Sequence, residues 1–218
     1  MRFLCSIVLA LFFALQGGVA AAETPGFDKA KKHTDQGEAE ANNSLGDIYA
    51  DRHDYQEAVK WYRLAAAQGY APAQYNLGAV YALGEGVPQD YRKAVHWYRL
   101  AAEQGNAVAQ SSLGVLYAQG EGVPQDYKKA VHWYRLAAEQ GNAAAQTNLG
   151  VVYGLGEGVR KDLTIADMWF IIAARNGDGS GAAARDQLAL ELTDAAIAKA
   201  QEMARVCMGS DYRDCRVK

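Results

Sequence analysis

The sequence predicts an all-α chain, an α/α solenoid of stacked helix-loop-helix repeats, and three observations carry that prediction. The run QDYRKAVHWYRLAAEQGNA from Gln89 to Ala107 returns 36 residues later as QDYKKAVHWYRLAAEQGNA from Gln125 to Ala143. Residues 70–105 and 106–141 agree at 28 of 36 positions, and weaker copies fill 38–69 and 142–177. Within a copy, apolar residues recur at helical spacing on either side of a glycine- and proline-bearing GEGVP. A fixed period in this range marks units that cannot bury their apolar faces alone and do so by stacking.

Residues 1–22 read as a secretory signal peptide. Arg2 supplies the positive start, Phe3–Leu15 the apolar run, and Ala20-Ala21-Ala22 a small-residue cleavage site before Glu23. The run is too short to span a membrane. Cys5 lies near its front rather than at the cleavage site, which argues against a lipid anchor. Removing 22 of 218 residues leaves about 196, with no further apolar run of spanning length. An exported chain, periplasmic or secreted and without a membrane span, is therefore expected.

Residues 23–37 read as an N-terminal segment and half-repeat, because Gly37 falls where Gly69, Gly105 and Gly141 close their units. Repeat 1, residues 38–69, is short. Gly46 to Ala58 is 12 residues where Gly78 to Ala94 is 16, and its GEGV loop is missing.

Repeat 2, residues 70–105, shows the full unit. Ala73, Leu77, Val80 and Tyr81 give a first helical stripe, and Ala94, Trp97, Tyr98, Ala101 and Ala102 a second. Between them Gly84 and Gly86 can take positive φ, and Pro88 keeps Val87 extended. Asp90 stands where a side chain caps a first turn, and Gly105 where a left-handed residue ends a helix. Gly78 sits inside the first helix at a cost of about 1 kcal/mol against alanine. It recurs as Gly46, Gly114 and Gly150, so a close approach by the partner helix is expected. The Trp and Tyr of that helix are the expected neighbours, and the recurring Trp61, Trp97, Trp133 and Trp169 are expected in the core.

Repeat 3, residues 106–141, restates that unit. Repeat 4, residues 142–177, departs from it with Leu163 for Tyr, Thr164-Ile165 for a basic pair and Phe170 for the second aromatic. Gly179-Ser180-Gly181 is then expected as a break. Two capping helices should come after it within 178–208, over 182–191 and 194–207, with Thr193 capping the second. Lys199, Gln201, Glu202 and Arg205 give that last helix a polar outer face, as a terminal unit requires. In the tail, 209–218, Cys215 is expected to pair with Cys207, since two cysteines in an exported chain read as a disulfide.

Little in the chain points to catalysis. Ser44, Ser111, Ser112, Ser180 and Ser210 are followed three places on by Asp, Gly, Val, Ala and Arg, so S-x-x-K is absent. G-x-S-x-G and H-E-x-x-H are absent too. GLGEG at 154–158 is the repeat's turn rather than a phosphate loop. His96 and His132 recur in adjacent units, but no Cys, Asp or Glu stands beside them at ligand spacing, so no metal is expected. No cofactor is expected either. A net charge of −3 argues against a nucleic-acid partner.

The pattern A-x-x-LG-x-x-Y-x-x-G-x-GV-x-x-DY-x-KA-x-x-WY-x-x-AA-x-x-G resembles the Sel-one-like repeat (SLR), a relative of the tetratricopeptide repeat. Residues 71–105 and 107–141 match nearly throughout. The resemblance implies a right-handed superhelix whose first helices line a concave, peptide-holding groove. Six of the eight mismatches between the two best copies lie in that first helix. By this resemblance Tyr75, Asn76, Ala79 and Leu83 face the groove, with Ser111, Ser112, Val115 and Gln119 from the next unit. Thr147, Asn148, Val151 and Leu155 continue the row, and Asn43 and Asp47 begin it. Tyr75 is its largest expected exposed aromatic. The row carries no Lys or Arg, and Asp47 would repel a C-terminal carboxylate, so a chaperone-tail receptor is disfavoured. The expected function is a non-enzymatic adaptor or scaffold for a protein or peptide in the bacterial cell envelope. The alternative is a β-lactam-binding or weakly hydrolytic envelope protein, as in a cysteine-rich branch of these repeats. That branch carries a disulfide in most repeats, whereas 38–177 holds no cysteine.

Overall fold

Four helix pairs succeed one another along the chain in a computed structural model that describes residues 38–212 and residue 215. The pairs are α1 (Ala39–Asp51) with α2 (Tyr55–Ala67), and α3 (Ala71–Leu83) with α4 (Tyr91–Glu103). Next come α5 (Ala107–Gln119) with α6 (Tyr127–Ala138), and α7 (Ala143–Leu155) with α8 (Leu163–Arg175). Each first helix packs on its partner, and α3, α5 and α7 pack also on the second helix of the preceding unit, so the pairs stack as an α-solenoid. No strand occurs among the described residues, and no described helix is long and apolar enough to cross a membrane. The expected signal peptide and half-repeat lie outside the described residues.

Local chemistry sets the helix ends. Asp54, Asp90 and Asp126 accept from the backbone N–H of Glu57, Lys93 and Lys129. Asn106 and Asn142 do the same for Ala109 and Ala145 at the first helices. The full-length first helices end on Gly84, Gly120 and Gly156 at φ of 78°, 75° and 80°, where an L side chain would be strained. Repeat 1 lacks that loop and turns through Arg52-His53-Asp54, with His53 at φ 60°.

The helical glycines are sites of close approach, and of the two expected aromatics only the second is the neighbour. A Cβ on Gly46, Gly78, Gly114 or Gly150 would fall within the ring of Tyr62, Tyr98, Tyr134 or Phe170, so the second aromatic takes the space and the tryptophan does not. The second-helix stripe shifts accordingly: Val95, not Trp97, joins Ala94, Tyr98, Ala101 and Ala102 in the core. Trp97 is half-buried at the edge of two neighbouring core clusters. Trp61 and Trp133 are likewise half-buried, and Trp169 alone is fully covered, at 4% exposure. Trp97 thus lies where the two clusters meet, while Trp61 packs beside Leu45 within its own unit.

Two hydrogen-bond ladders stitch the units together. Buried Gln74, Gln110 and Gln146 each donate to a carbonyl at the end of the preceding second helix, Ala66, Ala102 and Ala138. Their side-chain oxygens accept from Gln104, Gln140 and Asn176 of their own units at 2.7–2.8 Å. Arg63, Arg99 and Arg135 donate to the hydroxyls of Tyr81, Tyr117 and Tyr153 one unit further on. Each ladder rung satisfies polar groups that stacking would otherwise bury unpaired.

The expected break at Gly179-Ser180-Gly181 is instead the first turn of α9 (Gly179–Leu188), capped by Asp178. Gly181 fits there because it lies against Ala173 and Thr147. A short 3-10 turn, Ala189–Glu191, leads to α10 (Asp194–Gly209), with Thr193 accepting from the Ala196 N–H. Both α9 and α10 pack on α8, and Ala200, Ala204 and Cys207 of α10 are fully buried in the core. Cys207 is joined to Cys215 across a Cα separation of 4.5 Å. The Tyr212 hydroxyl and the Asn176 amide exchange hydrogen bonds of 2.8 and 3.0 Å, which folds the tail back over the last unit.

Candidate functional site

The first helices place one side chain per unit at each level of the candidate row, because the units stack in register. Asn43, Tyr75, Ser111 and Thr147 are equivalent, as are Asp47, Ala79, Val115 and Val151. Leu83, Gln119 and Leu155 stand at the last turn. Leu83 is 66% exposed, Leu155 63% and Val151 40%, and Asp47 and Gln119 are also exposed. Asn76, Ala79, Ser112, Val115, Thr147 and Asn148 are half-buried.

Three positions differ from expectation. Asn43 and Ser111 are buried, so they support the row from beneath rather than line it. Tyr75 is not an exposed aromatic: it is half-buried with its ring 5.7 Å from that of Tyr98. Burial pushes its hydroxyl pKa up. The Tyr98 ring fills the space over Gly78 and leaves Tyr75 a surface to stack on.

The row is polar where it begins. The Asp47 carboxylate accepts from the Tyr62 hydroxyl at 2.9 Å, from Asn76 at 3.0 Å and from Asn43 at 3.0 Å. Asn76 also donates to the Asn43 oxygen at 3.1 Å, closing the cluster between units 1 and 2. Desolvation raises the Asp47 pKa, with a further push from Asp51, against the lowering effect of the hydrogen bonds. The Tyr62 hydroxyl is driven far up by burial and by its bond to Asp47. This cluster is internally satisfied and spans an interface, so its first effect is to fix unit 1 on unit 2.

The row is apolar where it ends. A cavity of about 340 Å³ opens there between α7, α8 and α9, walled by Val151, Leu155, Leu163, Phe170, Ala184 and Leu188, with Lys161 and Glu191 at its edges. Beside it Thr147 donates to Asp178 at 2.7 Å, tying the row to the cap. A second cavity of about 420 Å³ lies beneath the cap, between Ile171, Ala174, Arg175, Arg185 and Gln201.

Outside the row, His96 and His132 are exposed, each edge-on to the tryptophan beside it in sequence. Among the described residues no three His, Cys, Asp or Glu side chains gather as a metal site. Sequence reasoning missed Asp167, which is 1% exposed with neither carboxylate oxygen hydrogen-bonded. Burial raises its pKa, opposed by the charge of Arg185. A signal was available: the equivalent residues of the other units are Val59, Val95 and Val131.

Comparison with known proteins places these features in a family. The Sel1 repeat model matches residues 39–70, 71–106, 107–142 and 143–178. Among solved structures, the chain is similar to a protective antigen of uropathogenic Escherichia coli strains that displays an SLR fold. That match has 43% identity and a TM-score of 0.67, and covers 71% of this chain and 34% of the antigen. It is also similar to a Sel1 repeat protein from Oxalobacter formigenes, at 38% identity and a TM-score of 0.65, covering 69% of this chain and 63% of that one. The chain thus spans about a third of the first protein's length and under two thirds of the second's. No curated protein matches. With four consecutive repeats matched and their stacking seen helix by helix, this chain belongs to the Sel1 repeat family.

Proposed function

We propose that this chain is an exported, non-enzymatic adaptor of the bacterial cell envelope that holds a peptide or partner protein along its first helices. Sel1 repeat proteins typically mediate protein–protein interactions, and the family is generally one of scaffolds. The observation that carries the finer reading is the contrast between fixed and varied positions. Every buried residue of repeat 2 recurs in repeat 3 unchanged or as the Val80-to-Leu116 swap, while the row between Tyr75 and Leu83 is rewritten. The rewritten positions also hold Leu83, Val151 and Leu155 out in solvent, and uncovered apolar side chains aligned on one face mark interaction surfaces.

The test is affinity capture from an envelope fraction, with wild type beside the Leu83→Glu, Leu155→Glu double variant and a His96→Ala, His132→Ala control. Partner loss in the first variant alone, with helicity and melting unchanged, is the expected result. Loss in the histidine variant alone would move the binding face to the second helices and overturn the reading. Hydrolysis of a chromogenic β-lactam by the purified chain would instead favour the enzymatic alternative. Mass spectrometry of exported protein, expected to begin at Glu23 with a bridged Cys207–Cys215 pair, tests the compartment.

A further inference from the structure

The cavity at the end of the row exists because the fourth unit departs from the second and third at the residues that fill it. In those units Gln89 donates to the Ala82 carbonyl at 2.7 Å and to the Tyr91 hydroxyl at 3.1 Å, and Gln125 does the same with Ala118 and Tyr127. The amide thus latches the loop onto the ends of both helices. The fourth unit replaces each part: Lys161 for the glutamine, Leu163 for the tyrosine and Gly154 for the alanine. Phe170 stands where Tyr98 and Tyr134 stand. Two hydroxyls, one methyl and the latch are gone together, and all four replaced residues line the cavity. The opposite wall comes from α9, which packs on α8 as each later first helix packs on the second helix before it. There Ala184 stands where Ser112 and Asn148 stand, a smaller and apolar side chain facing Phe170.

We propose that this slot is the anchor point for one apolar side chain, leucine or phenylalanine, of a partner segment that carries an acidic residue on one side of the anchor and a basic residue on the other. The walls are mostly apolar, with Gln187 the one uncharged polar side chain among them, and at about 340 Å³ the volume lies at the low end of ligand-sized pockets. Charge complementarity sets the flanks. Lys161 and Glu191 line the slot from α8's loop and the cap, and neither is in an ion pair among the described residues. An apolar core with a charged rim is the arrangement that concentrates binding energy in a single anchor. Two rim charges of opposite sign also fix the direction in which the segment runs. The inference rests on the adaptor reading and assigns its strongest contact to the junction of unit 4 with the cap.

The test uses an array of short peptides with central Leu, Phe, Ala or Asn, flanked by Glu on one side and Lys on the other, in both orders. Affinities for the full chain are read by fluorescence anisotropy. Leu and Phe peptides should bind about tenfold or more tighter than Ala and Asn peptides, in one flank order only. Gly154→Ala, Lys161→Gln, Leu163→Tyr and Phe170→Tyr together restore the residues of units 2 and 3, and should lower that affinity about tenfold or more. Leu155→Glu, a change at an exposed position, should do the same and serves if the fourfold variant fails to fold. If these variants bind like wild type while Leu83→Glu loses affinity, the slot is overturned and the row reading stands. Equal binding of Leu and Asn peptides, or no binding at all, also overturns the slot. The row reading then rests on the envelope capture experiment, which does not depend on these peptides.

Discussion

Asp167 is the residue most at odds with its surroundings. A carboxyl 1% exposed and without a hydrogen bond is stabilised by protonation, and its pKa is raised accordingly. A folded-state pKa above the unfolded value near 3.9 means that stability is lost as pH rises from that value through the folded pKa. Asp167→Val, which restores the residue of the other three units, should therefore stabilise the chain at neutral pH by about 1–3 kcal/mol. In urea unfolding the gain should shrink as pH falls towards about 4. Asp47 titrates in the same direction in both proteins, so the difference between them isolates Asp167. A pH-independent difference would show that the carboxyl is not the cause. The glycines give a matched contrast. Gly114→Ala should destabilise by about 1–3 kcal/mol in spite of alanine's helix propensity, because the Tyr134 ring occupies the space. Gly179→Ala meets nothing within 4 Å and should be neutral or stabilising by up to about 1 kcal/mol in a thermal melt.

Among elements, the helices themselves were legible and their buried faces only partly so. Stripes of period 3.6, aspartate caps and glycine stops give each repeat helix from the chain alone. The choice between Val95 and Trp97 for the core is not set by spacing, since both flank the same stripe and a large ring can stay partly wet at a seam. The capping helices illustrate a second limit. Gly179 and Gly181 signal a break by propensity, but Asp178 caps the turn and tertiary packing against Ala173 requires a glycine at 181. The glutamine ladder is invisible to pattern reading, because an amide repeating every 36 residues looks like surface. Gln110→Ala tests it: the change removes one hydrogen bond from the Ala102 carbonyl, at 3.0 Å, and one from the Gln140 amide, at 2.8 Å. A loss of about 1–3 kcal/mol in chemical denaturation is expected, where a surface glutamine would cost almost nothing.

At the scale of the molecule, stability should be distributed along the array, because the main helix packing among the described residues runs within units and between neighbours. Units 2 and 3 present nearly the same surface to the next unit in the stack. Deleting residues 106–141 therefore joins α4 to α7 through an interface equivalent to the one α6 now makes. The shortened chain should fold, with a lower midpoint and an m-value reduced roughly in proportion to the residues removed. A deletion product without helical circular dichroism would show that unit 3 carries something its neighbours cannot replace.

The sequence by itself determined that this chain is a stack of helix pairs, how many repeats it holds, where their helices lie and which residues vary between copies. Those properties are local or periodic, and a duplicated segment states them twice. The tertiary structure decided which side of each helix is covered, and so demoted Tyr75, Asn43 and Ser111 from the exposed row. It also decided that the row ends in a slot, because Leu163 and Phe170 of α8 meet Leu188 only when the cap folds back onto that helix. Periodicity describes a unit against its copies; a cavity or a buried charge depends on the distances between units, which only packing sets.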